Sequence, residues 1–259
     1  MQKNGSMTCP DPHLFTMQLT ENKITQAMIL AAGLGTRLKP WTDHHPKALA
    51  PVSGKPLLQH NIEYLQRHGI YDVVVNVHHF ADQIREAVET GSGWGSNIMV
   101  SDESDAVLET GGGLKKAQWF FNAGDFVLMN VDVLTDLNLQ QMIHFHGEQR
   151  PLATLAVRDR TTSRYFLFDE QGALSGWRNL KTGEQILVRE GTFIQKAFSG
   201  IHIINTDIFA LLTMQGKFSM VDVYLQLAHN HAIHAFDHSS GNFIDVGTPE
   251  SVIRAQDLF

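Results

Sequence analysis

Short apolar runs alternate with amphipathic segments through the first half of the chain. The apolar runs predict buried strands near residues 28–32, 73–77, 98–101, 126–129 and 152–157. The segments between them predict helices near residues 56–68, 81–89, 114–120 and 139–145. An alternation of strands and helices is typical of a parallel sheet with right-handed crossover helices. Ligands bind such sheets beyond the carboxyl ends of the strands, so we expect a functional site there.

The second half of the sequence predicts strands that follow one another more closely. Apolar runs at 165–168 and 173–177 flank the turn sequence Asp-Glu-Gln-Gly, which indicates a β-hairpin. Further strands are predicted at 196–204, 232–236 and 242–244, and a helix at 224–229. Thr248 and Pro249 then indicate the N-cap and the first residue of a last helix. We expect one domain over residues 26–259, preceded by a loose N-terminal extension at residues 1–25.

Composition and charge exclude several classes of function. With 259 residues, of which 43% are hydrophobic, the chain can bury a full core. A net charge of −7 argues against a nucleic-acid groove, which needs a basic face. No apolar run reaches the roughly 18 residues of a membrane span, and the first residues lack the pattern of a signal peptide. The single cysteine excludes an internal disulfide, and together these features predict a cytoplasmic protein.

Glycines and basic residues follow the first predicted strand. Residues 31–40 read Ala-Ala-Gly-Leu-Gly-Thr-Arg-Leu-Lys-Pro, and Lys47 follows shortly after. Gly33 and Gly35 let the backbone turn tightly and present its N–H groups to a ligand. Arg37 and Lys47 add two positive charges, so the segment predicts a receptor for a polyphosphate. It is neither a Walker loop nor a Rossmann fingerprint, because both glycine patterns are absent. A plain turn is the alternative.

Two aspartates each end an apolar run. Asp132 follows the strand predicted at 126–129, and Asp245 follows the strand predicted at 242–244. A carboxylate at the end of a buried strand is costly unless a positive charge faces it. Two carboxylates at one sheet edge would supply the oxygen ligands that Mg²⁺ prefers. The alternative is that each aspartate has only a local structural role, at a turn or before an N-cap.

Glycines also mark two further segments. Glu109-Thr110-Gly111-Gly112-Gly113 precedes the helix predicted near 114–120. Because three glycines cost conformational entropy on folding, they indicate a place where a ligand contacts the backbone; a flexible turn is the alternative. Gly200 lies inside a predicted strand, where glycine indicates either close approach of a ligand or a β-bulge.

These segments resemble the motifs of the sugar-1-phosphate nucleotidyltransferases and occur in the order of that family, over residues 26 to 255. The Glu-Thr-Gly-Gly-Gly and Phe-Ser-Gly-Ile segments look most like the N-acetylmuramate-1-phosphate uridylyltransferases of cell-wall recycling. The mannose- and heptose-1-phosphate guanylyltransferases more often carry Leu-Gly-Thr-x-Gly. The resemblance implies a Rossmann-like, mostly parallel mixed sheet flanked by helices, with a small sugar-binding β lobe, the nucleotide-diphospho-sugar transferase fold.

The implied reaction converts a nucleoside triphosphate and a sugar 1-phosphate to a nucleotide sugar and pyrophosphate. UTP with N-acetylmuramate 1-phosphate is favoured. The alternatives are a guanylyltransferase that uses GTP with mannose or heptose 1-phosphate, and a non-catalytic regulatory subunit that binds a nucleotide sugar.

The resemblance also implies roles for individual residues. Asp132 and Asp245 would hold Mg²⁺, and the catalytic residues Arg37 and Lys47 would contact the phosphates. The residues implied to bind the nucleotide are Ala31, Ala32, Gly33, Leu34, Gly35, Thr36, Ser101, Glu103, Gly111 and Gly112. The residues implied to bind the sugar are Glu109, Thr110, Arg178, Ser199 and Gly200.

Three features depart from the family pattern. Val131 stands where a glycine or alanine is usual, and the base-reading segment 101–105 is one residue longer than the commonest forms. Arg178 stands near the place of the lysine in the family's Glu-Lys-Pro motif. A guanidinium can bind phosphate with two hydrogen bonds, so a role for Arg178 at the sugar phosphate is chemically sound. The alternative is an ordinary solvated hairpin residue.

Overall fold

The structure, a computed structural model, describes residues 23–259. The extension expected at residues 1–25 therefore lies almost wholly outside the described residues. The strands are β1 (Gln26–Leu30), β2 (Pro51–Val52), β3 (Lys55–Pro56), β4 (Asp72–Val77), β5 (Asn97–Asp102), β6 (Asp125–Asn130), β7 (Val133–Thr135), β8 (Ala153–Arg158), β9 (Arg164–Phe168), β10 (Leu174–Asn179), β11 (Glu184–Leu187), β12 (Ile194–Asn205), β13 (Ile233–Asp237) and β14 (Phe243–Asp245). The helices are α1 (Leu57–Arg67), α2 (Ala81–Thr90), α3 (Glu109–Lys116), α4 (Leu139–Gln149), α5 (Ile208–Leu211), α6 (Met220–Leu227) and α7 (Pro249–Leu258).

A ten-stranded mixed sheet forms the centre of the molecule. Its parallel part runs β5-β4-β1-β6, and β12 pairs antiparallel with β6. Beyond β6, the long strand β12 also pairs with β8 and with β9, and the hairpin β9–β10 continues to β11. The α/β class and the mixed sheet are confirmed, as are the hairpin and the N-cap of α7 at Thr248.

Successive residues of β1 point to opposite faces of the sheet, as the strand period requires. Ala27 and Ile29 belong to a core layer that includes residues of α1, α2 and α4. Met28 and Leu30 belong to the opposite layer, which includes residues of α3, α5 and α6. Full burial of each such large apolar side chain stabilises the fold by about 1.5–3 kcal/mol. Strands buried on both faces explain why these runs read as continuously apolar.

The neighbours of β8 were not predicted from the sequence. The alternation of strands and helices predicts β8 only as a strand of the parallel sheet. In the structure β12 lies between β6 and β8 and runs antiparallel to both, with His202 opposite Leu128 on one side and Leu155 on the other. Ile201, Ile203 and the rest of this segment are buried, so β12 fills the central position. Strand order depends on this contact between distant segments, which local patterns do not encode.

The start of α3 also differs from the prediction. The helix begins at Glu109 rather than at 114, so the three glycines lie inside it. The N–H groups of Gly111 and Gly112 donate to the carbonyl of Phe218 at 3.0 and 3.2 Å. A Cβ atom on Gly112 would lie 2.3 Å from the carbonyl oxygen of Gly216. The glycines therefore allow close contact with another part of the chain, and this contact accounts for them without a ligand.

Candidate active site

A cavity of about 440 Å³ opens at the carboxyl ends of the central parallel strands. Leu30 ends β1 and pairs in register with Asn76 of β4 on one side and Asn130 of β6 on the other. All three residues line the cavity. The predicted site residues that line it with them are Ala31, Ala32, Gly33, Gly35, Thr36, Arg37, Lys47, Glu109, Thr110 and Asp132. Leu34 is exposed and lies outside this set.

The loop after β1 is held in shape by Gly35. This glycine has a φ of 60°, in the left-handed region that favours glycine. Its carbonyl accepts a hydrogen bond from Thr42 Oγ1 at 3.0 Å. A Cβ atom at this position would lie 2.9 Å from Lys47 Cβ and 2.9 Å from Thr42 Cγ2. Any larger residue would push the loop away from Lys47, so the glycine is needed to bring the loop and the lysine together.

Lys47 supplies the positive charge that faces Asp132. Its Nζ donates to Asp132 Oδ2. The side chain of Lys47 is 9% exposed, and that of Asp132 is 22% exposed. A partly buried pair of this kind holds both groups in place, because either charge left alone would be costly to bury. The backbone carbonyl of Val131, the residue before Asp132, accepts from the buried Asn61 side chain at 2.8 Å.

Backbone pairing brings Asp245 to the same place. In the β7–β14 pair, Asp245 lies opposite Val133, and the N–H of Val246 donates to the carbonyl of Asp132 at 2.8 Å. Burial, and next the charge of Asp132, raise the pKa of Asp245, while Lys47 and Arg37 act in the opposite direction. Among the described residues, Asp245 Oδ1 is buried without a hydrogen-bond partner.

This carboxylate pair fits a divalent cation. An unsatisfied carboxylate oxygen beside a second carboxylate is electrostatically unfavourable, and a bound cation would remove that penalty. No group of three or more acidic, histidine or cysteine side chains suited to a metal occurs within residues 23–259. Two carboxylates suffice for Mg²⁺, which is commonly bound by one or two carboxylates together with water and substrate phosphate.

Arg37 lies at the rim of the cavity. Its side chain is 67% exposed, and its Nη2 is 4.0 Å from Asp245 Oδ1. A Cβ atom on Gly247 would lie 2.8 Å from this guanidinium, so the glycine leaves room for it. An exposed ion pair at this distance contributes little to stability, and the arginine can move towards a bound phosphate.

Glu103 supports the loop after β1 through Asn76. It is fully buried, and its Oε1 accepts from Asn76 Nδ2 at 2.7 Å. Asn76 Oδ1 in turn accepts from the N–H of Ala31 at 2.7 Å. Burial raises the pKa of Glu103, and the hydrogen bond from Asn76 opposes this effect. Glu103 and the buried Ser101, both predicted to bind nucleotide, lie behind the wall of the cavity rather than in it.

The predicted sugar residues fall into two groups. Ser199 and Gly200 lie at an irregularity of β12 between Phe198 and His202, where Gly200 has a φ of 74°. The β-bulge is therefore confirmed as the structural reason for this glycine. Ser199 Oγ is hydrogen-bonded to His238 Nε2 at 2.7 Å. Arg178 lies on β10 and donates to Gln195. Neither Arg178 nor Ser199 and Gly200 line the cavity, unlike Glu109 and Thr110, so their contacts with sugar remain predictions.

Three polar residues that line the cavity, Asn76, Asn130 and Ser219, were not among the predicted site residues. Asn76 interrupts a run of valines at the carboxyl end of β4, and a single polar residue at that point was a usable signal. Ser219 caps α6 in a capping box with Asp222. This cap starts the helix at Met220, before the predicted 224. The Ser-Met-Val-Asp sequence has the capping-box spacing, with aspartate where glutamate or glutamine is usual, and was therefore a usable signal.

Comparison with known proteins places the chain in a family. Residues 26–174 match the family described as nucleotidyl transferase. N-acetylmuramate alpha-1-phosphate uridylyltransferase of Caulobacter vibrioides is 43% identical over 240 residues, which cover 89% of this chain and 95% of that protein. D-glycero-alpha-D-manno-heptose 1-phosphate guanylyltransferase of Campylobacter jejuni is 32% identical, over 87% of this chain and 96% of that protein.

A solved structure shows the same fold. The crystal structure of HddC from Yersinia pseudotuberculosis complexed with GMP-PN aligns with a TM-score of 0.74 at 24% identity, covering 91% of this chain and 100% of that one. The family match and the extent of the similarity agree with the motifs that line the cavity. The chain belongs to the nucleotidyl transferase family and is a sugar-1-phosphate nucleotidyltransferase of the nucleotide-diphospho-sugar transferase fold.

Proposed function

We propose that the protein is a uridylyltransferase that joins UTP and N-acetylmuramate 1-phosphate to give UDP-N-acetylmuramate and pyrophosphate. The observation that carries the proposal is the Lys47–Asp132 pair, which lines the cavity together with the glycine loop and lies beside Asp245. The choice of UTP and of the acidic sugar rests on the 43% identity to a uridylyltransferase with that substrate in its name. We expect a cytoplasmic location and a role in supplying cell-wall precursors.

The reaction needs positioning and charge neutralisation more than covalent help. An oxygen of the sugar phosphate attacks the α-phosphorus of UTP, the new P–O bond forms, and the bond to the β-phosphate breaks to release pyrophosphate. The attacking phosphate is already ionised, so no side chain has to remove a proton. Two anions must be brought together in line, and such steps depend mainly on orientation and electrostatics.

Four side chains would supply this environment. The backbone of residues 31–36 and the cation Arg37 bind the leaving pyrophosphate, and Lys47, fixed by Asp132, binds the α-phosphate. Asp132 and Asp245 would hold Mg²⁺, which supplies a Lewis acid to the phosphates when bound. Since Arg37 is exposed and only loosely paired, it can follow the charge as it develops on pyrophosphate.

A panel assay tests the proposal. Pyrophosphate release is measured with each of four nucleoside triphosphates and several sugar 1-phosphates, at saturating Mg²⁺. We expect the highest kcat/KM with UTP and N-acetylmuramate 1-phosphate. Release with GTP and a mannose or heptose phosphate, and none with UTP, would instead favour the guanylyltransferase to which the chain is 32% identical. Thermal stabilisation by a nucleotide sugar without any release would identify a non-catalytic binding protein.

A further inference from the structure

Two arginines lie together next to β14, the strand that ends at Asp245. Arg158 ends β8, and Arg160 follows it in the next segment. Their Cζ atoms lie 5.2 and 5.4 Å from the centroid of the Phe243 ring, two residues before Asp245 on β14. Arg158 Nη2 donates to the carbonyls of Ser239 and Gly241 at 3.2 and 3.1 Å. Arg160 Nη2 donates to the carbonyl of Phe198, next to the bulge, at 3.1 Å.

The positive charges of this pair are not balanced. Within residues 23–259, neither guanidinium has a carboxylate oxygen within 4.0 Å. Arg158 Nη1 and Arg160 Nε are buried and, among the same residues, lack a hydrogen-bond acceptor. Burial and the charge of Arg158 lower the pKa of Arg160, while Asp245 raises it. Two adjacent, half-buried like charges are unfavourable, so the pair is suited to an anion.

The neighbouring side chains do not supply that anion. Lys196 Nζ forms ion pairs with Asp159 Oδ1 at 2.8 Å and with Asp237 Oδ2 at 2.6 Å. Burial lowers the pKa of His238 to about 4, so this ring is neutral at neutral pH and adds no competing charge. Its Nε2 is hydrogen-bonded to Ser199. Lys196 and its two carboxylates form a separate ion-pair group. The charge of Asp245 raises the pKa of Arg160, but this carboxylate lies more than 4.0 Å from either guanidinium.

We propose that Arg158 and Arg160 bind a carboxylate carried by the sugar of the sugar 1-phosphate. The inference rests on the proposed function, because N-acetylmuramate bears a lactyl carboxylate that N-acetylglucosamine lacks. A planar guanidinium matches a carboxylate with two parallel hydrogen bonds. The phosphate groups of the substrates have their own cations in Arg37 and Lys47, which line the cavity. The arginine pair thus selects a sugar that carries a carboxylate over one that lacks it.

Kinetics with matched sugars test this inference. The variants are Arg158→Gln and Arg160→Gln, with Arg164→Gln, an exposed residue of β9, as the control. We expect each of the first two to raise KM for N-acetylmuramate 1-phosphate at least about tenfold. KM for N-acetylglucosamine 1-phosphate and for UTP should stay within about twofold of the wild type, since neither ligand brings a sugar carboxylate to the pair. The control should leave all three unchanged.

Three results would overturn it. An equal rise in KM for both sugars would mean that the arginines bind the phosphate common to both. Unchanged KM values would mean that the pair is structural. A loss of discrimination in Arg178→Gln alone would move the carboxylate site to β10. If a glutamine variant has a lowered melting temperature, the lysine variants Arg158→Lys and Arg160→Lys replace it. They keep the positive charge and lose the planar guanidinium, and they too should raise KM for N-acetylmuramate 1-phosphate but not for N-acetylglucosamine 1-phosphate.

A second measurement separates this inference from the proposed function. Wild-type protein that transfers no nucleotide to N-acetylmuramate 1-phosphate would contradict the proposed function. Binding of free N-acetylmuramate, which has no phosphate, is then measured by calorimetry against free N-acetylglucosamine. Binding of N-acetylmuramate but not of N-acetylglucosamine, abolished by Arg158→Gln, would support the carboxylate site even if the proposed function is wrong. Equal binding of both sugars, or of neither, would contradict it.

Discussion

Two regions flank the Asp132–Asp245 pair and are built differently, and we call them its two walls. The loop side, which we define as residues 31–37, Lys47, Glu103, Asp132, α3 and the ends of β1, β4 and β6, takes its polar groups mainly from parallel strands in register. The bulge side, which we define as β8 to Arg160, β14, His238 and the part of β12 around Gly200, takes them from antiparallel strands and a register shift. The first wall follows from neighbours that are close in strand order, and the second from contacts between distant segments.

The difference extends to charge. On the loop side, Lys47 forms an ion pair with Asp132. Glu103 Oε2 is the buried side-chain atom on this side that lacks a hydrogen-bond partner among the described residues. On the bulge side, buried atoms of Asp245, Arg158, Arg160 and His238 lack partners in the same part of the chain. Buried polar atoms are normally satisfied, so each exception calls for a functional explanation. Glu103 is the one residue of the loop side with such an atom, whereas four residues of the bulge side have one among the described residues, which agrees with the proposed metal and carboxylate sites.

The strongest test of this comparison replaces one carboxylate from each wall. Asp132→Asn and Asp245→Asn should each lower kcat at least about a hundredfold, because each removes a ligand charge for the metal. Their effects on stability should differ in sign. Asp132→Asn leaves Lys47 without its buried partner and should lower the melting temperature. Asp245→Asn removes a carboxylate whose pKa is raised by burial and by Asp132, so it should raise the melting temperature.

Asp257→Asn, at an exposed position of α7, is the control for both measurements and should match the wild type. More than about a tenth of the wild-type kcat in either site variant, at saturating Mg²⁺, would contradict the metal assignment. Equal shifts of melting temperature would contradict the contrast between a satisfied and an unsatisfied carboxylate.

Close packing of backbones should make the loop side sensitive to a single methyl group. Gly112→Ala places a Cβ atom 2.3 Å from the carbonyl oxygen of Gly216, and the two backbones would have to separate. We expect a loss of about 2–4 kcal/mol in the free energy of unfolding, measured with urea. Gly33→Ala is the matched control, because nothing lies within 4 Å of its added methyl group. Equal losses in the two variants would show that the helix glycines are not needed for packing.

Arg37→Ala should lower kcat more than it weakens nucleotide binding. The guanidinium lies at the rim, where negative charge develops on the leaving pyrophosphate, so its contact should strengthen in the transition state. We expect kcat to fall about ten- to a hundredfold and the affinity for UTP to change by less than about threefold. Stopped-flow turnover and equilibrium binding separate the two quantities. A raised KM for UTP with unchanged kcat would limit Arg37 to ground-state binding.

Acid should weaken the antiparallel half of the sheet through its histidines. Burial lowers the pKa of His202 to about 3, and burial with Arg158 lowers that of His238 to about 4. The unfolded chain then binds protons that the folded chain does not. The stability is fully present above about pH 6.5 and is lost as pH falls towards these values, by up to about 1.4 kcal/mol per pH unit for each histidine.

Urea unfolding at pH 7 and pH 5 measures this loss. His202→Gln should reduce the difference between the two pH values, and His229→Gln, at an exposed position, should not. A pH dependence that survives unchanged in His202→Gln would assign the acid sensitivity to other groups.

The sequence predicted the loop side better than the bulge side. Gly35, Arg37, Lys47 and Asp132 lie within a few residues of an apolar strand, and parallel strand ends converge by geometry alone. The cation opposite Asp132 was expected from the cost of burying a carboxylate, and Lys47 is that cation. These inferences needed only local patterns and general energetics.

The bulge side required tertiary information. Nothing in the local pattern indicates that β12 separates β6 from β8, or that the helix glycines serve contact with Phe218. Arg158 and Arg160 read as ordinary charges at a strand end, because their lack of partners is visible only once β14 is in place. Propensity and periodicity describe single elements, whereas this wall is defined by contacts between elements.

The hydrogen bond from Val246 to the carbonyl of Asp132 has a consequence for biosynthesis. β14 is the last described strand to be translated, so Asp132 leaves the ribosome well before Asp245 can join it. Domains form native contacts as their segments emerge, and the late segment here carries half of the carboxylate pair. If both carboxylates hold the metal as proposed, a nascent chain could form the glycine loop before it could transfer a nucleotide. Nucleotide transfer would then begin only after β14 has paired with β7.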